Sequence, residues 1–371
     1  MTPAFAVISE LRRRGYQRFF WVGHKFNQAG SKVTSPEFQT VKKMNIPFFD
    51  LKAGKLNRSW QDNRFGSIIN LIKIPWGFVQ SLWILVRVRP HIIVSFGGYL
   101  ALPIVIVGKL LGRRVVTHEQ TVTTGLTNKI LPYFADKVML SWPSSLVHYP
   151  QNKAVITGNP LRPEIFTPDS HQFQFKNNLP VVYVTGGNQG SHKVNQAIFD
   201  QLHEILEICN VIHQTGNSSV TKDADQANQL KLSLPDHLRD RYIPKTFIFE
   251  NEIGEVFAKA DLVIARSGAN TTYEILATGK MAIFIPIPWV THNEQYLNAK
   301  VASDVGMALI LEEARLNGIN LKNALDLAMR HLRQNKGFND KPLAEARAAA
   351  KGVVRFDADK SIVDIIESLL S

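Results

Sequence analysis

The chain has 371 residues, 45% of them hydrophobic, and that length predicts two domains of roughly 150 to 200 residues, because one hydrophobic core rarely serves so many. A single cysteine, Cys209, excludes an internal disulfide framework; no uninterrupted apolar stretch of about 18 residues is present to span a bilayer as a helix, and the opening residues do not read as a signal peptide. The net charge of +12 predicts an anionic partner, and without zinc-ligand spacing, an RNP-type aromatic motif or a clustered Lys/Arg run it favours an acidic membrane surface over nucleic acid.

In chain order, residues 4–14 carry helical periodicity and the apolar run at 19–22 reads as a strand. Residues 64–87 combine bulky apolar groups with cations. Ile68, Ile72, Trp76, Val79 and Trp83 recur at helical spacing, and Pro75 is the expected break between two helical pieces. This stretch fits an ordinary core-facing helix. It equally fits an interfacial one, with Ile72, Trp76, Phe78 and Trp83 among lipid headgroups and Arg58, Arg64 and Lys73 on their phosphates. Strands at 92–95, 114–117 and 137–140, with a helix at 102–111, complete the first half. In the second half strands fit 181–185, 210–214, 242–249, 262–265, 282–285 and 308–311, with helices between them. That alternation predicts an α/β protein of two doubly wound domains. The seam falls at 154–168, where Gly158 and three prolines interrupt the pattern. The expected division is 1–157, 158–350, and 351–371, whose helix at 358–370 crosses back onto the first domain.

Chemistry is expected at the carboxyl ends of the strands. Ser95-Phe96-Gly97-Gly98-Tyr99 follows one strand and His118-Glu119-Gln120-Thr121 the next. Gly186-Gly187-Asn188-Gln189-Gly190-Ser191 follows the strand at 181–185 and opens a helix, the arrangement of a phosphate cradle. Most informative is Arg266-Ser267-Gly268-Ala269-Asn270-Thr271-Thr272-Tyr273-Glu274, a turn from an apolar strand into a helix whose N-terminal amides suit a phosphate. Glu294 and Gln295, after the following strand, supply a carboxylate and an amide suited to sugar hydroxyls. A nucleotide sugar fits this order of parts.

These strings, with Gly-Leu-Thr-Asn at 125–128 and Gly-Asn-Pro-Leu-Arg at 158–162, resemble the MurG family of bacterial peptidoglycan N-acetylglucosaminyltransferases over nearly the whole chain. The resemblance implies a GT-B fold, two Rossmann-like domains facing a central cleft. It implies inverting, metal-independent transfer of N-acetylglucosamine (GlcNAc) from UDP-GlcNAc to lipid I, giving lipid II, by a peripheral protein at the cytoplasmic membrane face. UDP-GlcNAc is a substrate, no cofactor is expected, and other cell-wall synthesis proteins are possible partners. By matched position, Arg162, Asn188, Gln189 and Gly190 meet the diphosphate, and Ala269, Asn270, Thr271, Thr272 and Tyr273 form the helix-terminus phosphate site. Glu274 takes the ribose, the backbone near Glu250 the uracil, and Glu294 with Gln295 the sugar. Tyr99, His118, Glu119 and Thr121 face the acceptor. The residues alone leave a structural role open for three of these: His118 and Glu119 as supports of their own loop, Arg162 as an ion pair at the seam.

The chain departs from the family pattern in four places. Thr121 replaces an asparagine, Asn188 a serine and Glu294 a glutamine, and Thr121 with Glu294 keeps open a GT-B transferase with another lipid acceptor. The fourth lies at the N-terminus, where Met1-Thr2-Pro3-Ala4 matches the start of the family's first helix. The strand, glycine-rich loop and general-base histidine that precede this helix in the family fall upstream of Met1, so no catalytic residue is assigned. The first sheet is expected to lack an inner strand, and the chain as written to be slow or inactive, leaving a membrane-associated scaffold as the rival reading.

Overall fold

The computed structural model describes residues 2–26, 34–54, 64–123, 125–187 and 189–371, with the backbone alone for 2, 36, 64–73, 126 and 291. The chain divides into two compact units. One comprises Met1–Gln120, Thr124–Pro160 and Asp357–Ser371, the other Thr121–Thr123 and Leu161–Phe356.

The first unit runs α1 (Thr2–Arg13), β1 (Trp21–Gly23), α2 (Pro36–Lys43), β2 (Phe48–Asp50), α3 (Arg64–Val88), β3 (Ile92–Ser95), α4 (Ala101–Leu110), β4 (Arg114–Glu119), α5 (Leu126–Phe134), β5 (Lys137–Leu140) and β6 (Ala154–Ile156). Among the described residues these strands pair in parallel, β1 beside β2 in one sheet and β3-β4-β5-β6 in another. Strand alternation distributes the core between two faces. Val115, Val138 and Leu140 join Leu51, Ile84, Leu85 and Val105 on one side. Their neighbours Val116 and Met139 join Val7 and Leu11 of α1 on the other. Ser95 is in register with Thr117, so the loops after β3 and β4 leave the sheet at the same end.

The second unit contains β7 (Val181–Thr185), α6 (His192–Phe199), α7 (Leu202–Ile208), β8 (Asn210–Gln214), α8 (Asp223–Ser233), α9 (Asp236–Arg239), β9 (Tyr242–Lys245), α10 (Glu250–Lys259), β10 (Leu262–Ala265), α11 (Ala269–Thr278), β11 (Met281–Phe284), α12 (Glu294–Asp304), β12 (Ala308–Ile310), α13 (Gly318–Arg333) and α14 (Leu343–Gly352). Its sheet is parallel throughout, in the order β12-β11-β10-β7-β8-β9, which is the doubly wound Rossmann order. The strand order reverses between β7 and β10, and the crevice beyond their carboxyl ends is where ligands of such sheets bind. The last helix, α15 (Ala358–Ser368), belongs to the first unit and packs on α1 through Ile362, Val363 and Ile366.

Several expected elements change. Pro75 does not divide α3, which is continuous from Arg64 to Val88. Proline removes one intrahelical bond, but Pro75 is exposed, and the turns beyond it are tied down by Gln80, which donates to the Asp50 carbonyl (2.7 Å) and accepts from Lys52 N (3.0 Å). The strand expected to reach 249 ends at Lys245, because β9 is an edge strand and its one neighbour, β8, ends at Gln214. The strand expected at 19–22 is shifted to 21–23, in register with Phe48–Asp50.

Candidate functional site

Two turns meet the switch point of the second sheet. After β7, Gly187 adopts φ +84° and Gly190 φ +76°. A Cβ on Gly190 would lie 2.0 Å from the Thr215 carbonyl oxygen, so glycine alone fits there. Gly190 N donates to Gly187 O (3.0 Å), and Gln214 Nε2 donates to the same oxygen (3.0 Å). Gln189 is exposed; Asn188 lies outside the described residues. After β10, Gly268 precedes α11 with an extended backbone and supplies no side-chain cap, and a helix N-terminus of that kind suits an anion. The buried hydroxyls Ser267 Oγ and Thr272 Oγ1 have no hydrogen-bond partner among the described residues.

Arg266 fastens the two turns together, a role that sequence reasoning did not assign. It is 8% exposed and donates from Nε (3.1 Å) and Nη2 (2.8 Å) to Ser191 Oγ and from Nη1 to the Ile285 carbonyl (3.0 Å). Its Nη2 also pairs with buried Glu313 at 2.5 Å. An arginine directly after a wholly apolar strand was the available signal, since a guanidinium in that position must find partners.

Arg162 and Glu274 come together although 112 residues apart. Nε meets Oε1 at 2.7 Å and Nη2 meets Oε2 at 2.8 Å, a two-pronged pair in which Glu274 is 6% exposed. Burial works against the charge of Arg162, but Glu274 outweighs it and raises the guanidinium's pKa. The adjacent Tyr273 is wholly buried and its hydroxyl accepts from Arg355 N at 2.7 Å. Gln295, in the first turn of α12, accepts from Ile287 N (3.1 Å), with half-buried Glu294 beside it. Glu250 is exposed at the start of α10.

In the first unit Gly97 and Gly98, with φ +81° and +83°, turn the chain so that Tyr99 meets His24 Nε2 in a short hydrogen bond. His118 and Glu119 support their surroundings. His118 is 1% exposed, with Nε2 donating to Gly158 O (2.9 Å), and burial pushes its pKa down to about 4. Glu119 is 5% exposed and accepts from Asn128 Nδ2 (2.5 Å) and the Tyr149 hydroxyl (3.0 Å). Thr121, which clusters with the second unit, donates to the Thr123 carbonyl (2.5 Å). Along α3, Trp76 (57%) and Trp83 (56%) are exposed beside Val79 and Val86, whereas Phe78 packs against the core containing Ile84 and Leu85. The side chain of Ile72 lies outside the described residues, and Arg58 lies outside them altogether.

Residues 1–140 match the glycosyltransferase family 28 N-terminal domain and residues 181–353 its C-terminal domain. A Clostridium perfringens protein named UDP-N-acetylglucosamine–N-acetylmuramyl-(pentapeptide) pyrophosphoryl-undecaprenol N-acetylglucosamine transferase is 32% identical over 88% of this chain and 86% of its own. A Clostridium botulinum protein of the same name is 30% identical over the same shares. The crystal structure of Acinetobacter baumannii MurG superimposes with a TM-score of 0.70 at 24% identity, covering 99% of this chain and 95% of that one, which shows the GT-B fold. At that level of identity and coverage the chain belongs to the MurG family of glycosyltransferases, within glycosyltransferase family 28.

Proposed function

We propose that this protein transfers GlcNAc from UDP-GlcNAc to lipid I, forming lipid II, at the cytoplasmic face of the membrane. The observation that carries the reading is the switch point of the second sheet. There a glycine turn and a helix N-terminus without a side-chain cap, tied together by Arg266, lie beyond the carboxyl ends of β7 and β10. A diphosphate suits such a place, and the names of the relatives supply the sugar and the acceptor.

In this reading the diphosphate lies over the turns at Asn188–Gly190 and Ala269–Thr272. Glu274 takes the ribose hydroxyls on the lone pairs that Arg162 leaves free, since each carboxylate oxygen accepts more than one bond. Gln295 and Glu294 meet the sugar, the backbone before Glu250 the uracil, and Tyr99 the acceptor. The acceptor hydroxyl attacks the anomeric carbon, its bond to the β-phosphate oxygen breaks, and configuration inverts. Arg162 and the fixed amides stabilise the charge that develops on UDP, without a metal. The apolar stripe of α3 lies on the anionic membrane surface.

Transfer from labelled UDP-GlcNAc to a lipid I analogue tests the activity. Glu274→Gln keeps the shape but halves the acceptor capacity and unpairs the charge of Arg162. Its KM for UDP-GlcNAc is expected to rise about 10- to 100-fold, the loss of a charge-assisted hydrogen bond. An unchanged KM removes Glu274 from the ribose site.

A further inference from the structure

The geometry points to Trp289, in the loop between β11 and α12, as a stacking platform for the pyranose ring of the donor sugar. The assignment rests on the reading above, in which Gln295 and Glu294 meet that sugar, and it uses residues of the second unit alone.

An indole left in water exposes a large apolar surface, and Trp289 is 69% exposed. It is nonetheless held. Lys193 Nζ lies over its ring at 5.5 Å. The same Nζ pairs with Glu313 Oε1 at 2.7 Å, and the other oxygen of that buried carboxylate pairs with Arg266 Nη2 at 2.5 Å. The indole is thus the outer end of a chain of charges that begins at Arg266, the residue fastening the two turns. The backbone leading to Trp289 is tied as well. Ile285 N donates to the Ala265 carbonyl (2.9 Å), Ile285 O accepts from Arg266, and Ile287 N donates to Gln295 Oε1 (3.1 Å).

These groups stand at one end of the sheet. Lys193 is in the first turn of α6, three residues after Gly190, while Arg266, Trp289 and Glu313 follow the parallel strands β10, β11 and β12. Trp289 therefore reaches from the sugar pair, through Ile287 and Gln295, to the glycine turn, through Lys193. A diphosphate and its sugar occupy that span. Lys193 covers one face of the indole, and exposure of this size leaves the other to solvent. A pyranose carries a face of C–H groups with partial positive charge, which matches the negative face of an aromatic ring, while its hydroxyls at the edge reach the Gln295 amide and the Glu294 carboxylate. Such a platform recognises the sugar and is indifferent to UDP.

The test is calorimetric titration of the full chain with UDP-GlcNAc and, separately, with UDP, for the wild type, Trp289→Leu, Trp289→Phe and Lys193→Met, with thermal melts on the same samples. Trp289→Leu is expected to weaken UDP-GlcNAc binding about 3- to 10-fold, the worth of one aromatic stack, and to leave UDP binding and the melt unchanged. Trp289→Phe keeps a ring and recovers most of the loss. Lys193→Met leaves Glu313 on Arg266 but releases the indole, and loses UDP-GlcNAc affinity in the same selective way to a smaller extent. An equal loss for UDP and UDP-GlcNAc in Trp289→Leu shows a residue that supports the phosphate turn and overturns the inference; unchanged affinity for both ligands overturns it too. The proposed function stands in either case. A wild-type chain that takes UDP but not UDP-GlcNAc overturns both.

Discussion

His213 has both ring nitrogens engaged while neutral. Nε2 donates to Asn195 Oδ1 (3.0 Å) and Nδ1 accepts from the Tyr242 hydroxyl (2.9 Å), all within the second unit's core. Burial pushes its pKa down to about 3, as it pushes that of His118 down to about 4. An unfolded histidine titrates near 6.5, so between that pH and about 4 the unfolded chain binds protons that the folded chain refuses. Stability is therefore fully present above pH 6.5 and falls as the pH drops, by roughly 1.4 kcal/mol per unit for each histidine. Urea titrations at pH 7 and pH 5 are expected to show a loss of stability that is smaller by about 1 to 2 kcal/mol in His213→Gln, whose amide does not titrate in that range. An identical loss in both proteins removes His213 as the cause. The sequence offered no sign of this network, because Asn195, His213 and Tyr242 converge only after two βα units have wound and β9 has paired with β8. Arg162 and Glu274 were each singled out by their motifs. Their two-pronged pairing was not, because it depends on a contact spanning 112 positions.

At the scale of elements, the strands whose bounds matched include the inner strands of the second sheet, covered on both faces, and also Ile92–Ser95 and Lys137–Leu140 of the first. Val181–Thr185, Asn210–Gln214 and Leu262–Ala265 fall where the pattern placed them, and each lies inside a six-stranded parallel sheet. The strands missed were Phe48–Asp50 and Ala154–Ile156, three residues each and half-buried throughout. Runs that short have no measurable period and become strands only because β1 and β5 offer an edge. The helix α3 shows the same limit, since periodicity alone allowed either a core or an interfacial reading. Both faces exist: Ile84 and Leu85 are buried, while Trp76, Val79, Trp83 and Val86 are each more than half exposed. Arg87 stacks over the Trp83 ring at 5.5 Å, placing a cation beside the apolar stripe. Half-exposed tryptophans that enter a lipid interface contribute about 1 kcal/mol each. Replacing Trp76 and Trp83 together by Ser is thus expected to weaken binding to anionic vesicles about tenfold or more, with the melting transition little changed. A collapse of the melt with unchanged binding of the residual folded protein shows the stripe to be structural.

At the scale of the molecule, the final helix completes the unit that the first helix begins. The chain leaves the first unit at Pro160, forms all of the second unit except Thr121–Thr123, and returns at Asp357. There α15 covers the face of α1: Ile362, Val363 and Ile366 pack on Val7 and Leu11, and Arg14 pairs with Asp364 (2.6 Å) and Glu367 (2.7 Å). The ion pairs are partly exposed and contribute little, so the apolar face decides. Burying three branched side chains contributes roughly 4 to 8 kcal/mol, comparable with the whole stability of a domain. Removing residues 357–371 also uncovers Val116 and Met139 beneath α1. Hydrogen exchange on the shortened protein is expected to show lost protection in β3, β4 and β5, while β7, β8 and β10, which belong to the other unit, keep theirs. Uniform loss across both sheets shows that the two units fold as one cooperative body; retained protection in the first shows that α1 covers that face unaided.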